Sequence, residues 1–391
     1  MARASLAGRT LLDLAGTATT ASLEALGPAQ WSALCAMAAL HRMGPWLHSR
    51  HGANPAIPEN VRHQWASDYR RAALAALAQH ADCGAALALL EAQGFKPIAL
   101  KGAFLSRHAY PDAALRPMRD IDILVPAERV LAAFEALIAG GYIIEKQSKI
   151  ALEDAARLDK HMPPLTMPLG TCLELHGRLM ERDGRLEYAS PEASEADVRE
   201  RSINLDGIRY PAPTDMLSHL IVHAVYGHRF DCGPLLLTDV HFLAAHHSID
   251  WDLLWEQAHA QNWAAGGALV LALVRHYHAS AALAPHHAEP ASPTQATMDL
   301  ARDLLVQDYT AKKNARFIAT VMTGGFSQAR NLVGGRIRLA ASEDLVIDRA
   351  QDGGRAAWTL AKLRDVAVSL ADPAQRRQAR QLAQFRRWLE N

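Results

Sequence analysis

The 391-residue sequence predicts an α+β fold: a mixed β-sheet with helices, embedded between an α-helical N-terminal region and an α-helical C-terminal region. Three observations carry that reading. Residues 1–84 are rich in Ala and Leu at helical spacing and hold almost no β-branched clusters. Residues 85–212 change texture, with short β-prone runs separated by stretches of helical length. From Pro213 to the end, residues 213–391, the pattern is helical again.

In order along the chain, Leu74, Leu77, Ala81, Ala85 and Leu89 give the first region its helical period, and turns are expected at Gly44-Pro45 and around Gly52 to Pro58. Strands are expected at 97–100, 121–125, 142–144 and 171–176. Ala127 to Ala139 has helical length between two of them, after Pro126 at a helix start, which makes an α/β unit. Asp206-Gly207 is a hairpin turn signal. Thr214 is placed to cap a helix beginning at Asp215, whose apolar stripe of Met216, Leu217, Leu220, Ile221, Ala224 and Val225 runs to Gly227. Pro285 to Pro293 reads as a loop, and Pro373 to Glu390 as a last helix whose arginines form a solvated face.

Composition excludes several classes of function. Lys plus Arg number 41 and Asp plus Glu number 41, so the formal charge is zero, whereas holding a long nucleic acid through many phosphates calls for a basic excess. Bulk nucleic acid binding is therefore not expected. Half the residues are hydrophobic and 21% are charged, which suits a globular chain. The four cysteines are far apart and form no C-x-x-C pair, which points to a reducing, cytoplasmic setting. No signal-peptide core follows the N-terminus, and the longest purely apolar run, Ala264 to Val274, is short for a bilayer, so no membrane partner is expected.

The P-loop, dinucleotide-binding, H-E-x-x-H and G-x-S-x-G motifs are all missing, so the chemistry must be read from constellations. The strongest is Lys101-Gly102 at the end of one strand, then Arg116, Arg119 and Asp120-Ile-Asp122 opening another. Asp is disfavoured in strands, yet the i, i+2 spacing puts both carboxylates on one face while Ile121, Ile123 and Val125 take the other. Like charges about 4 Å apart cost roughly 4 kcal/mol at an effective dielectric of ~20, a cost that a bound divalent ion reverses. In Thr171 to His176, Glu174 and His176 share the face opposite Leu173 and Leu175, bringing a third carboxylate. Three carboxylates beside a Lys-Gly turn and arginines form the oxygen-rich environment that Mg²⁺ takes together with a triphosphate. Two such ions would clamp the attacking and leaving oxygens of a displacement at phosphorus.

These stretches, Ile98 to Ser106, Tyr110-Pro111, Arg116 to Val125 and Leu173-Glu-Leu-His176, resemble the uncharacterised nucleotidyltransferase family of the polymerase-β-like nucleotidyltransferase superfamily. The resemblance runs over about residues 85–245 and includes the helix Pro213 to His223 and Leu237-Thr-Asp-Val240. It implies a nucleotidyltransferase-like sheet, Asp120 and Asp122 as ligands of both metals, and Glu174 as the third acid, which binds one metal and helps deprotonate the acceptor hydroxyl. The sequence departs from the superfamily's pattern after the glycine. Ala103 follows Gly102 where serine is usual, and 17 residues separate Gly102 from Asp120. Lys101, with Ser106 one turn on and Arg116 or Arg119, is expected to take over the phosphate contacts.

Asp215, His219 and His223 lie at i, i+4 and i+8, followed by His228, Arg229 and Asp239. Three readings stay open: a zinc site, histidines hydrogen-bonded to Asp215 or Asp239, or a wall of the nucleotide cleft in which His223 and Arg229 meet base or phosphate and Asp239 orients them. Other histidines, such as His246-His247, His276, His278 and His286-His287, read as surface or loop residues. The expected site is thus Asp120, Asp122 and Glu174 for metal and catalysis, with Lys101, Gly102, Arg116, Arg119, His176, His223, Arg229 and Asp239 around the nucleotide. The expected activity is a Mg²⁺-dependent (two ions, with Mn²⁺ as a substitute) transfer of a nucleotidyl group from ATP or another NTP to a hydroxyl of a small molecule or peptide. Phosphoryl transfer on the same scaffold and a non-catalytic nucleotide-binding relic are the alternatives.

Overall fold

The computed structural model describes residues 5–145, 151–179, 195–279, 281–308 and 372–390. The chain forms two units, one of residues 1–147 with 160–306 and the other of residues 148–159 with 307–391.

The first unit begins with four helices. In α1 (Leu6–Ala15) the Ser5 hydroxyl accepts the Gly8 N–H at 3.1 Å, an N-cap that satisfies one orphan donor. It is followed by α2 (Pro28–Leu40), α3 (Gly44–His51) and the 34-residue α4 (Glu59–Ala92). Gly44-Pro45, expected as a turn, instead opens α3, because proline fits a first helical turn; the break falls earlier, at Arg42 with φ 57°. By length and composition α4 is also long and apolar enough to cross a membrane, with 33% of its most apolar window buried. Its Trp65, Cys83, Ala86, Leu87 and Leu90 are buried, whereas Leu74 and Leu77 are exposed.

After α4 come β1 (Ile98–Ala99), the single turn α5 (Gly102–Phe104) continuing as a π-helical turn at Leu105–Ala109, β2 (Asp120–Leu124) and α6 (Val130–Ala139). Then follow β3 (Ile143–Ile144), α7 (Leu152–Leu158) in the second unit, β4 (Leu165–Thr166), β5 (Cys172–His176) and α8 (Glu195–Glu200). The sheet has the order β1-β2-β5-β4-β3 and is mixed, with β2 and β5 parallel and the other pairs antiparallel. The β2–β5 register sets Asp122 opposite Glu174 and Ile121 opposite Leu173. Ile121, Ile123, Leu173 and Leu175 are at most 1% exposed, and burial of each contributes about 1.5–3 kcal/mol. That apolar face turns towards α4 and α6, so the period of two leaves the acidic residues together on the other face. Strand β4 has only two residues, too few for an alternation signal.

The hairpin of β6 (Ile203–Leu205) and β7 (Ile208–Tyr210) turns at Asp206 and Gly207, with φ of 52° and 79°, the conformation that Asp-Gly favours. Next come α9 (Pro213–Val222), a π-helical turn at His223–Gly227, α10 (Leu235–His246), α11 (Trp251–Ala260), α12 (Ala264–Tyr277) and α13 (Gln295–Leu305). Thr214 does not cap α9. Ala212 holds that position ahead of Pro213, and the Thr214 hydroxyl accepts the Asp250 N–H at 2.9 Å. The run Ala264 to Val274 is core helix, with Leu269 to Leu271, Leu273 and Val274 fully buried. Residues 285–293 form a loop, clasped by a two-pronged Arg275–Glu289 pair with both N–O distances 2.6 Å.

In the second unit the C-terminal helix Pro373–Glu390 buries Ala379, Leu382, Ala383 and Phe385 and exposes Arg376, Arg377, Arg380 and Arg387. Gln378 Nε2 donates to Gln307 Oε1 at 3.2 Å and to the Asp308 carbonyl at 3.0 Å.

Candidate active site

Lys101, two residues after β1, has φ 43° and ψ −112°, a conformation that glycine ordinarily occupies. A lysine there costs on the order of 1–3 kcal/mol, the kind of local strain found where a side chain has work to do. Gly102 is needed for space, because a Cβ would come within 2.8 Å of the Met118 side chain and 3.1 Å of Arg116 Nη1. The tight turn brings Lys101 Nζ to 3.2 Å from Asp122 Oδ1.

The same oxygen receives a second donor, His176 Nε2, at 2.7 Å. His176 Nε2 also lies 3.5 Å from Glu174 Oε2, and His161 Nε2 lies 3.7 Å from that oxygen on the other side. Asp122, Glu174 and His176 therefore form one group, Asp122 and His176 buried and Glu174 half-buried, whose ligand atoms lie within 4.8 Å of one another. Asp120 stands two residue pairs before Asp122 and Glu174, and so on the same face.

Electrostatics separates the three acids. Burial and the negative charges of Asp122 and Glu174 push the Asp120 carboxyl up to about 6. Burial pushes in the same direction on Asp122, but the Lys101 ammonium and the His176 hydrogen bond outweigh it and hold that carboxyl well below the usual range. Glu174 is likewise brought down to about 2, as the His176 hydrogen bond and His161 overcome burial. Arg42, from the N-terminal helices, adds positive charge beside Asp120. Burial and the neighbouring Arg116 and Arg119 lower its own guanidinium to about 10.

Other expected residues divide into two groups. Arg116 and Asp239 grip one another through Nε–Oδ1 at 3.0 Å and Nη2–Oδ2 at 2.8 Å, and Tyr110 donates to the same Asp239 at 2.7 Å. Asp239 thus positions Arg116, a partner the sequence did not assign to it. Arg119 is exposed at the entrance to β2, its Nη2 3.5 Å from the Leu40 carbonyl. Arg229 has φ 49°, next to Phe230 at 64°, in the bend after the π-helical turn. Ser106, expected near phosphate, meets His80 Nε2 at 3.0 Å and Met118 Sδ at 4.0 Å instead.

His219 and His223 both feel the Lys101 charge, and His219 also feels Asp122 and His176. Burial, with Lys101 adding to it, holds both imidazoles well below their usual range, and so neutral. Neither histidine is bonded to Asp215, whose oxygens take Arg201 Nε at 2.9 Å and Nη2 at 2.8 Å. His219 is 5% exposed and both of its ring nitrogens are buried without a hydrogen-bond partner among the described residues. The His223 ring lies 4.1 Å from that of His228, whose Nδ1 pairs with Asp231 at 2.8 Å. His278, expected at the surface, is 1% exposed and stacks on His241 with ring centroids 4.7 Å apart.

Sequence reasoning missed His161, Arg42 and Lys160, whose charge also helps to lower the Asp122 carboxyl. All three come from irregular segments between elements, where no periodicity marks which way a side chain points.

The donor set suits a divalent cation. Carboxylates crowd one sheet face, and among the described residues Lys101 and His176 are the hydrogen-bond partners of the Asp122 side chain. A family model described as an uncharacterised nucleotidyltransferase matches residues 27–279. No curated protein and no solved structure matches the chain.

Proposed function

The chain belongs to the uncharacterised nucleotidyltransferase family, and on that premise we propose that it transfers a nucleotidyl group from ATP or another NTP to a hydroxyl of a small-molecule or peptide acceptor. The observation that carries this reading is the convergence of Asp120, Asp122 and Glu174 on one face of the parallel β2–β5 pair, with Lys101 drawn onto Asp122 by a strained backbone.

Asp120, Asp122 and Glu174 would hold two Mg²⁺ or Mn²⁺ ions, which supply charge neutralisation for a displacement at phosphorus. The protein's own part is positioning. Lys101, from its turn beside Gly102, is within reach of a triphosphate once Asp122 turns to a cation. Arg116, locked by Asp239, and Arg119 at the mouth of β2 add positive charge for the leaving phosphates. His219 and His223, kept neutral, present nitrogens that can donate to or accept from a base, phosphate or acceptor without adding charge. Glu174 orients the acceptor hydroxyl for loss of its proton.

Ala103 in place of the superfamily's serine favours a second reading, in which a shifted triphosphate delivers a phosphoryl group through the same carboxylates. ATP labelled at the α or at the γ phosphate, incubated with candidate acceptors, distinguishes the two. Label from α on the acceptor is the expected result, and label from γ replaces nucleotidyl with phosphoryl transfer. Nucleotide binding with no transfer to any acceptor makes the protein a relic.

A further inference from the structure

Metal sites in this setting are ordinarily thought of as carboxylates alone, but the geometry here includes a nitrogen. We propose that His176 is a direct metal ligand, completing an imidazole–carboxylate face with Asp122 and Glu174, and that this face makes the protein select Mn²⁺ over Mg²⁺. The inference rests on the metal-dependent reading given above.

The distances fit. Two ligands at adjacent corners of an octahedron, each about 2.1 Å from the ion, are about 3.0 Å apart. His176 Nε2 lies 2.7 Å from Asp122 Oδ1 and 3.5 Å from Glu174 Oε2, on either side of that value. All three side chains stand on paired strands, Asp122 opposite Glu174 and His176 one step along the same face, so the spacing is set by the sheet. His176 is 1% exposed, which leaves its ring little freedom to turn away.

The tautomer can change at small cost. Donating to Asp122 puts the proton on Nε2, and binding a metal there moves it to Nδ1. Nδ1 is buried with no partner among the described residues, so the shift exchanges an unpaired acceptor for an unpaired donor and breaks no bond seen at that atom. Beside this group, His219 brings two more buried and unpartnered nitrogens into the field of Asp122 and His176.

The chemical consequence is selectivity. Mg²⁺ demands near-ideal oxygen octahedra, while Mn²⁺ stands above it in tolerance of distorted geometry and of nitrogen donors.

Titration of the full-length protein with Mn²⁺ and with Mg²⁺, followed by calorimetry, and pulsed electron paramagnetic resonance of bound Mn²⁺ test this without reference to activity. We expect Mn²⁺ to bind at least tenfold more tightly than Mg²⁺, with ¹⁴N coupling from a directly bound imidazole. In His176→Gln the coupling disappears and the preference falls below threefold, while Mg²⁺ affinity changes little. Mn²⁺ bound without ¹⁴N coupling in the wild-type protein overturns the proposal, and that measurement needs no variant to fold. So does coupling that persists in His176→Gln, or equal loss of both ions, which makes His176 a positioning residue for Asp122. In each of those cases binding that is still abolished by Asp122→Asn leaves the proposed function standing. Ion binding indifferent to Asp122→Asn removes the metal site itself.

Discussion

Lys101 Nζ lies 3.2 Å from Asp122 Oδ1, and it arrives there from a backbone held at φ 43° and ψ −112°. Strain and charge can be separated by substitution. Lys101→Gly removes both, whereas Lys101→Ala removes the charge and keeps the strain. The glycine variant should therefore be the more stable of the two by about 1–3 kcal/mol in denaturant unfolding. Both should bind nucleotide at least tenfold more weakly than the wild-type protein. An alanine variant as stable as the glycine one would show that the turn is not strained.

His219 gives a prediction of opposite sign. A buried imidazole with neither nitrogen paired costs about 1–3 kcal/mol, so His219→Leu should raise the melting temperature while lowering transfer activity. A variant that melts lower instead would mean that the ring has partners in the folded protein.

The sheet and its acidic face were legible because period-two alternation in Asp120–Leu124 and Cys172–His176 fixes which side chains share a side, and the structure keeps that pattern. The parallel β2–β5 register, which sets Asp122 opposite Glu174, is a long-range pairing that no local pattern encodes. The same limit hid the Arg116–Asp239 pair, 123 residues apart in sequence. It also hid the contact of His176, which a sequence places on the right face but not at 2.7 Å from Asp122. At the ends of helices local signals competed. Pro213 in the first turn won over Thr214 as a cap, and Arg42 took the bend expected two residues later.

The Arg116–Asp239 pair should prove structural as well as electrostatic. Arg116→Ala leaves Asp239 buried beside Tyr110 without its cation and should cost about 3–5 kcal/mol of stability. Adding Asp239→Asn to that variant should restore a part of the loss, since no charge is then left unpaired. Urea unfolding of the single and double variants measures both effects.

Protons report on Asp120. Its carboxyl is raised to about 6 in the folded protein, so between the ordinary carboxylate value and 6 the folded chain binds more protons than the unfolded one. The contribution of Asp120 to stability consequently grows as pH falls from 7 towards 4. Glu174, brought down to about 2, acts oppositely: its contribution is present above the ordinary carboxylate value and is lost as pH falls below it. In metal-free buffer the melting temperature of the wild-type protein relative to Asp120→Asn should thus rise on going from pH 7 to pH 4. A difference that stays flat over that range would contradict the crowding of charge inferred at this face.

The central claim is that these carboxylates bind nucleotide through a divalent ion, and Asp122→Asn tests it most directly. Calorimetric titration of ATP with Mg²⁺ or Mn²⁺ into the wild-type protein should show binding that disappears when the ion is chelated. In Asp122→Asn that binding should be lost and turnover abolished, while the circular dichroism spectrum stays that of the folded chain. Ion-dependent ATP binding and turnover that survive in the folded variant would contradict the account.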